Sequence, residues 1–289
     1  MGTAGLAEYA TYCRGGGRGP VKRLQSKWLV GRPIGRFVVE MGLMENEVDL
    51  ASAACAVPFS TLVPAAFVRR DNRFRVQVET EWGLAAAHLP NSGRLEELLM
   101  PGAPVWLTPA GPAARARRRT GYDLTLVEYS GRLVSVDARL PTELVAIALE
   151  RDCAPGLPRY PVVKREVALG KSRIDFWLGG SPTEAPCWLE AKSVTLVIDG
   201  AAQFPDAPTA RGRRHLSELV TAVQKGEKAM VVFVIQRDDA CCFSPHDSAD
   251  PAFGDALRQA AFAGVEIVAL GCRLTVEAIQ LCDSLPVVM

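Results

Sequence analysis

The chain has 289 residues, 48% of them hydrophobic, 22% charged and 7% aromatic, with a formal net charge of +1. That composition excludes a wholly disordered or collagen-like chain, and the length points to about two domains of roughly 150 residues each. The longest unbroken apolar run, Ala229 to Ile235, falls far short of the roughly 18 to 20 residues that a membrane span requires.

Residues 1–60 open on a Gly/Arg stretch around Cys13 to Pro20 and continue without a clear hydrophobic period. We expect an appendage there, partly disordered. Residues 61–140 then change to short alternating stretches: Leu62 to Val68, Phe74 to Glu79, Leu84 to His88, Val105 to Thr108, Leu124 to Tyr129 and Leu133 to Val136. Turn chemistry at Asp71-Asn72, Pro90 to Gly93 and Ser130-Gly131 separates them, which predicts a small β-barrel. By alternation Phe74 and Trp106 belong to its core. The run Arg115 to Arg119 reads as a flexible basic loop.

From Pro141 to the C-terminus the period switches. An amphipathic helix from Thr142 to Glu150 precedes three strand-like runs, Val162 to Leu169, Ser172 to Leu178 and Cys187 to Val194. A helix near Gly212 to Lys225 follows, with Leu216, Leu219, Val220 and Val223 on one stripe, then the apolar strand Met230 to Ile235. Asp250-Pro251 supplies an N-cap and a first-turn proline for a helix ending near Gly264, ahead of a strand from Val265 to Leu270. That order predicts an α/β sheet with helices packed on it.

The eight cysteines include no CxxC pair and the chain has only three histidines, which argues against a structural zinc site. The first residues show no charged start leading into an apolar stretch, so the expectation is a soluble, cytoplasmic protein whose cysteines are buried thiols and which has no membrane partner. Only seven of the 33 basic residues are Lys. A Lys in an unusual place therefore carries information that an Arg does not.

Strand periodicity puts Ile174, Phe176 and Leu178 on one face and Asp175 on the other, while Glu190 and Lys192 share a face of the next strand. The Gly/Pro-rich connection from Gly179 to Pro186 favours a hairpin that brings Asp175, Glu190 and Lys192 together. Two carboxylates on adjacent strands suit Mg²⁺ (or Mn²⁺), which takes one or two carboxylates plus water and phosphate oxygens. The neighbouring ammonium suits an attacking water or the charge that develops on phosphorus. Glu166, one strand earlier, is a candidate third carboxylate. Taken alone, Glu-x-Lys also describes an ordinary salt-bridged strand face.

For an anionic partner the candidates are Arg211, Arg213, Arg214 and His215, at the start of a helix where backbone N–H groups already favour anions. Arginines paired with Asp206 or Glu218 are the structural alternative. His88 and Asn91 flank a barrel turn, and Trp82 lies in the exposed turn Thr80 to Gly83, a candidate platform for a stacked base. Residues 61–119 hold nine Arg against five acids, a local excess suited to phosphates.

These residues resemble the sugar fermentation stimulation protein (SfsA) family. The matching stretches are His88 to Gly93, Glu166 to Phe176, Leu189 to Leu196, Phe204 to Asp206, Arg211-Gly212 with His215-Leu216, and Gly264 to Ile267. The resemblance runs from about Leu62 to the C-terminus. It implies a small OB-like β-barrel followed by a PD-(D/E)xK nuclease-like α/β domain, DNA binding, and a role in regulating sugar (maltose) utilisation genes. On that motif Asp175, Glu190 and Lys192 take the catalytic positions and Glu166 the additional acidic one. The chain departs from the family's pattern at Thr142-Glu143-Leu144 and Ile147, where Asn-Arg-Leu and a later Glu are usual, and at Leu89 and Ser92. The reading is thus a DNA-binding protein with a Mg-dependent nuclease site, compatible with a homo-oligomer. A non-enzymatic DNA-binding regulator and an RNA-binding or RNA-processing protein stand beside it.

Overall fold

A computed structural model describes residues 52–289. The N-terminal part is a barrel of β2 (Val63–Asn72), β3 (Arg75–Thr80), β4 (Gly83–His88), β5 (Pro104–Pro109) and β6 (Tyr122–Tyr129), with β7 (Arg132–Ser135) paired outside β6. It closes where Ala87 and His88 of β4 lie parallel to Tyr122 and Asp123 of β6. Phe67, Val76, Val78, Leu107 and Leu124 fill its interior, alternating with outward residues as the period of two requires.

Three expectations for this region are corrected, one of them for Trp106, which alternates with the inward-facing Val105 and Leu107 and is only partly buried on the outer side. The strand β2 continues through Asp71-Asn72 because irregular pairings at Phe67/Arg69 and Arg70/Asn72 carry it further. The turn therefore falls at Arg73-Phe74, and Phe74 stands at its tip, 47% exposed instead of in the core. The basic run Arg115 to Arg119 is no featureless loop either: Pro112–Arg117 form a short helix, α1, and Arg118 Nη1 pairs with Asp123 at 2.5 Å.

The C-terminal part is a seven-stranded sheet with strand order β1-β16-β15-β13-β10-β9-β8. Its strands are β1 (Ala56–Pro58), β8 (Val162–Leu169), β9 (Ser172–Gly179), β10 (Cys187–Val194), β13 (Lys228–Ile235), β15 (Glu266–Leu274) and β16 (Ala278–Leu285). The central strand β13 runs parallel to both neighbours, β10 and β15. Both its faces are covered, which accounts for its unbroken apolar sequence. Helix α2 (Leu140–Arg151) covers one face, packing on Met230, Val232 and Val234. Helices α3 (Ala210–Gln224) and α4 (Pro251–Phe262) cover the other around Phe233. A small second sheet, β11-β12-β14, is formed by β11 (Leu196–Ile198), β12 (Ala201–Phe204) and β14 (Cys242–Pro245). None of the described helices is long and apolar enough to cross a membrane.

The expected appendage reaches residue 60, but its last part belongs to this sheet: β1 pairs antiparallel with Gln280, Ile279 and Ala278 of β16. Residues 1–51 of that expectation lie outside the described residues. The pairing brings Cys55 beside Cys153 at the end of α2, with Cα atoms 5.7 Å apart and a disulfide between them. The expectation of buried thiols is thereby corrected at these two positions, whose spacing suits a disulfide. Cys187, Cys242 and Cys272 are buried thiols.

Asp250 caps α4 by accepting from Phe253 N–H, accepts from Thr209 N–H at the start of α3, and receives both bonds of Arg213 Nη1. Losing the cap and stranding a half-buried guanidinium should cost about 2 kcal/mol. Urea unfolding of Asp250→Ala measures it.

Candidate active site

Asp175 on β9 and Glu190 on β10 face each other where the hairpin opens. The ladder between these strands runs from Cys187↔Leu178 to Leu189↔Phe176 and stops one residue before the two acids. At that point Asp175 Oδ2 accepts from Ala191 N–H at 2.8 Å, replacing a backbone carbonyl in the ladder, and Asp175 N–H points at Glu190 Oε2, 3.4 Å away. The opening follows from the side chain of Asp175 competing for a backbone donor.

Glu190 is 3% exposed. Its Oε1 accepts from Lys192 Nζ and from His215 Nδ1, the latter at 2.5 Å. Burial raises the Glu190 carboxyl, but the Lys192 charge and the His215 hydrogen bond outweigh it and hold the group down at about 2. Asp175 goes the other way: burial first, then the facing Glu190 charge, push it up to about 7. The pair thus combines one firmly ionised carboxylate with one whose ionisation is opposed by its neighbour.

A pH dependence follows with a definite sign. Asp175 holds a proton in the fold up to about pH 7 that the unfolded chain has released above 3.8. Stability without metal should therefore fall as pH rises from about 4 to about 7, by on the order of a few kcal/mol, and then level off. Urea midpoints measured in chelator at pH 5 and pH 8 test this, and Asp175→Asn should flatten the difference.

Glu166 sits opposite Asp175 on the neighbouring strand, between the pairs Arg165↔Phe176 and Val167↔Ile174. Its side chain is 57% exposed, 4.0 Å from Arg173 Nε, and its backbone adopts φ of 55°. Among the described residues no group of three or more His, Cys, Asp and Glu is placed to hold a metal ion. The site therefore gathers two carboxylates, and Glu166 lies at its edge as a further negative charge that raises Asp175.

The residues expected to meet an anion divide into two sets. Arg211 and Arg214 are exposed on the first turns of α3, with Arg214 Nε donating to Ser172 Oγ at 3.2 Å. Arg213 is committed to Asp250, the acid that takes the place of the expected Asp206 or Glu218. Those two acids instead accept backbone N–H groups, Asp206 from Arg94 and Glu218 from Lys171. His215 is 2% exposed and belongs to the carboxylate cluster, not to the surface. Its position was legible, because Gly212, His215, Leu216 and Leu219 share one helical stripe.

In the barrel, Asn91 is buried and spent on the loop it stands in, donating to Val136 O and accepting from Gly93 N–H. His88 Nδ1 lies 2.9 Å from Phe74 O. Arg70 holds the same loop by donating to Gly93 O and Arg94 O. Through Arg94 N–H and Asp206 this loop touches the segment that leads into α3. Trp82, 70% exposed, is at the far end of β4 from His88. Tyr129 meets the Arg237 guanidinium across the seam at 5.2 Å, and Phe74, beside His88 at 6.3 Å and under the Arg73 guanidinium at 5.8 Å, is the exposed aromatic at the His88 end of the barrel. Alternation missed it for want of the two irregular pairings in β2. The seam also includes Ser135 N–H to Gln236 O and Arg132 to Asp238.

An OB-like barrel followed by an α/β domain defines a two-domain architecture, with Asp175 and Glu190 facing each other on the β9–β10 hairpin. Residues 68–136 match the SfsA N-terminal OB domain, and residues 139–278 match the family described as sugar fermentation stimulation protein RE domain. The chain belongs to the SfsA family. It is 44% identical to a sugar fermentation stimulation protein homolog of Desulforamulus reducens over 226 residues, covering 78% of this chain and 92% of the relative. A homolog of Moorella thermoacetica is 44% identical over 222 residues, covering 77% and 94%. The solved structure of Pyrococcus furiosus SfsA in complex with Ca²⁺ superposes with a TM-score of 0.73 at 33% identity, covering 81% of this chain and 98% of that one.

Proposed function

We propose that the protein binds nucleic acid, DNA in the first place, and hydrolyses its phosphodiester bonds at Asp175, Glu190 and Lys192 with a divalent cation, serving in the cytoplasm in the control of sugar (maltose) utilisation genes. The observation that carries this reading is the facing pair of carboxylates with a half-buried ammonium beside them. A divalent cation fits the donor set. Asp175 Oδ1 makes no hydrogen bond to the described residues, and Glu190 Oε2 has only the long contact from Asp175 N–H. The desolvated like charges would be relieved by a cation, and Mg²⁺ or Mn²⁺ is satisfied by two carboxylates with water and phosphate oxygens. The Pyrococcus furiosus relative is in complex with Ca²⁺, which supports a divalent cation as a ligand for this family.

When bound, the cation supplies Lewis acidity towards phosphate oxygen and lowers the pKa of bound water. The chain's own groups do the rest. Asp175 and Glu190 hold it, Lys192 offsets negative charge at the reacting phosphate and orients water, and exposed Arg211 and Arg214 hold the flanking backbone. Incubating the pure protein with single-stranded, duplex and branched DNA and with RNA, with Mg²⁺ or Mn²⁺ and with chelator, tests the reading. Binding without cleavage of any of them would favour the non-enzymatic regulator, and cleavage confined to RNA the processing enzyme.

Phe74 serves better than Trp82 as a stacking platform, since it stands on the seam side with Arg73 over its ring. Phe74→Ala is expected to lose about 1 to 3 kcal/mol of single-strand affinity and Trp82→Ala much less. Fluorescence anisotropy with a labelled oligonucleotide measures both, and the opposite order would move the strand to the far end of the barrel.

A further inference from the structure

His215 is the one histidine drawn into the carboxylate cluster, and its two ring nitrogens have different partners. Arg211 Nε donates to His215 Nε2 at 3.3 Å. A guanidinium only donates, so Nε2 must accept and the ring proton sits on Nδ1. Nδ1–H then donates to Glu190 Oε1 at 2.5 Å. Lys192 Nζ donates to the same oxygen and lies 3.4 Å from Nδ1, the spacing of two donors that share one acceptor. Both donors are thus on Oε1. Oε2, on the Asp175 side, is left with a single 3.4 Å contact. Arg211 itself is exposed, and its Nη groups make no hydrogen bond to the described residues.

We propose that Arg211 and His215 form a positioning relay, in which the surface arginine fixes the histidine tautomer, the histidine fixes the Glu190 carboxylate with Oε2 towards the cation, and a phosphate on the outer edge of Arg211 steadies the chain. The inference rests on the cation site proposed above and deepens it. Neither residue touches the cation; both act through Glu190. Partners of this kind set ligand orientation, and removing one typically weakens metal affinity by about 10- to 100-fold. The relay also gives Arg211 a role distinct from that of Arg214. Both face the anion, but only Arg211 is bonded to the cluster behind it, so binding of phosphate and binding of cation should strengthen each other.

Two measurements on the full chain decide the matter. Long-range proton–nitrogen NMR of the imidazole reads the tautomer without any metal: Nδ1–H is expected in the wild type, and a mixture in Arg211→Met, an exposed site where folding is not at stake. An Nε2–H wild-type ring would overturn the relay while leaving the cation site standing. Calorimetric Mn²⁺ titration then compares wild type, His215→Phe and His215→Asn. His215→Phe should bind about 10- to 100-fold more weakly, and His215→Asn, whose amide N–H stands near the Nδ1 position, should recover most of the loss. Circular dichroism confirms that each variant is folded. Arg211→Met should bind Mn²⁺ more weakly than wild type and should lose any gain that inorganic phosphate gives. Wild-type affinity in His215→Phe or an unchanged Arg211→Met would sink the relay, whereas a wild type with the Nδ1–H ring that binds no Mn²⁺ at millimolar concentration would remove the cation site and the relay with it.

Discussion

Asp175→Asn is expected to abolish cation-dependent cleavage, with a loss on the order of 10³-fold or more, since the charge stabilisation at stake is several kcal/mol. The substitution keeps the volume of the side chain and an acceptor for Ala191 N–H, so the hairpin should stay open as it is. Glu190→Gln should be as damaging, but for a second reason. It removes the negative charge that Lys192 and His215 donate to, leaving a half-buried ammonium without its counter-charge. Lys192→Met separates binding from chemistry. The Lys192 charge is the first influence holding Glu190 down, and without it the two carboxylates repel more strongly. Above pH 8, where both are ionised, Mn²⁺ affinity should rise in Lys192→Met while cleavage falls. A parallel fall of affinity and rate in that variant would instead make Lys192 a strut of the site. Calorimetry run beside the cleavage assay reads both quantities on the same samples.

The barrel and the alternation of the central hairpin were legible in the sequence because each strand has one dry face and one wet one, and the period of two survives wherever pairing is regular. Phe74 shows where that stops: two irregularities in β2 displace the turn by two residues and send the side chain outward. Bulges leave no mark on the hydrophobic pattern until the partner strand is known. The strand β16 alternates clearly, with Ile279 and Leu281 buried, and belonged among the expected strands. The three-residue β1 is too short to show any period, so its place on the sheet edge, and with it the Cys55–Cys153 disulfide, needed the fold.

At the site itself, residue types and spacing sufficed for Asp175, Glu190 and Lys192, because strand geometry alone puts them on facing positions. Glu166 was different. Counting residues places it opposite Asp175, but a positive φ and an exposed carboxylate leave it at the rim. The Arg-rich run around His215 suggests a surface cation, although the helical stripe to Leu216 and Leu219 points it inwards. Arg213 illustrates the remaining limit. Its partner Asp250 is 37 residues away in sequence, and only the packing of α3 against α4 brings the two together.

That last pairing sets up the other large effect. Affinity for nucleic acid should fall by about 10³-fold or more between 50 and 200 mM salt if on the order of six phosphates are contacted, because each neutralised phosphate releases bound counterions. The arginines at the start of α3 should not contribute alike. Arg211 and Arg214 are exposed and have no acidic partner among the described residues, so replacing either by Ala should make the slope of log affinity against log salt shallower by about 1 and weaken all sequences equally. Arg213 spends its charge on Asp250. Arg213→Ala should leave the slope near that of the wild type and show its effect in a lower urea midpoint, where an uncompensated Asp250 is felt. Anisotropy titrations at four salt concentrations with the three single variants separate these outcomes. A flat salt dependence in the wild type would mean that no phosphate track crosses this face, and a slope lowered by Arg213→Ala alone would mean that nucleic acid displaces Asp250 from its arginine on binding.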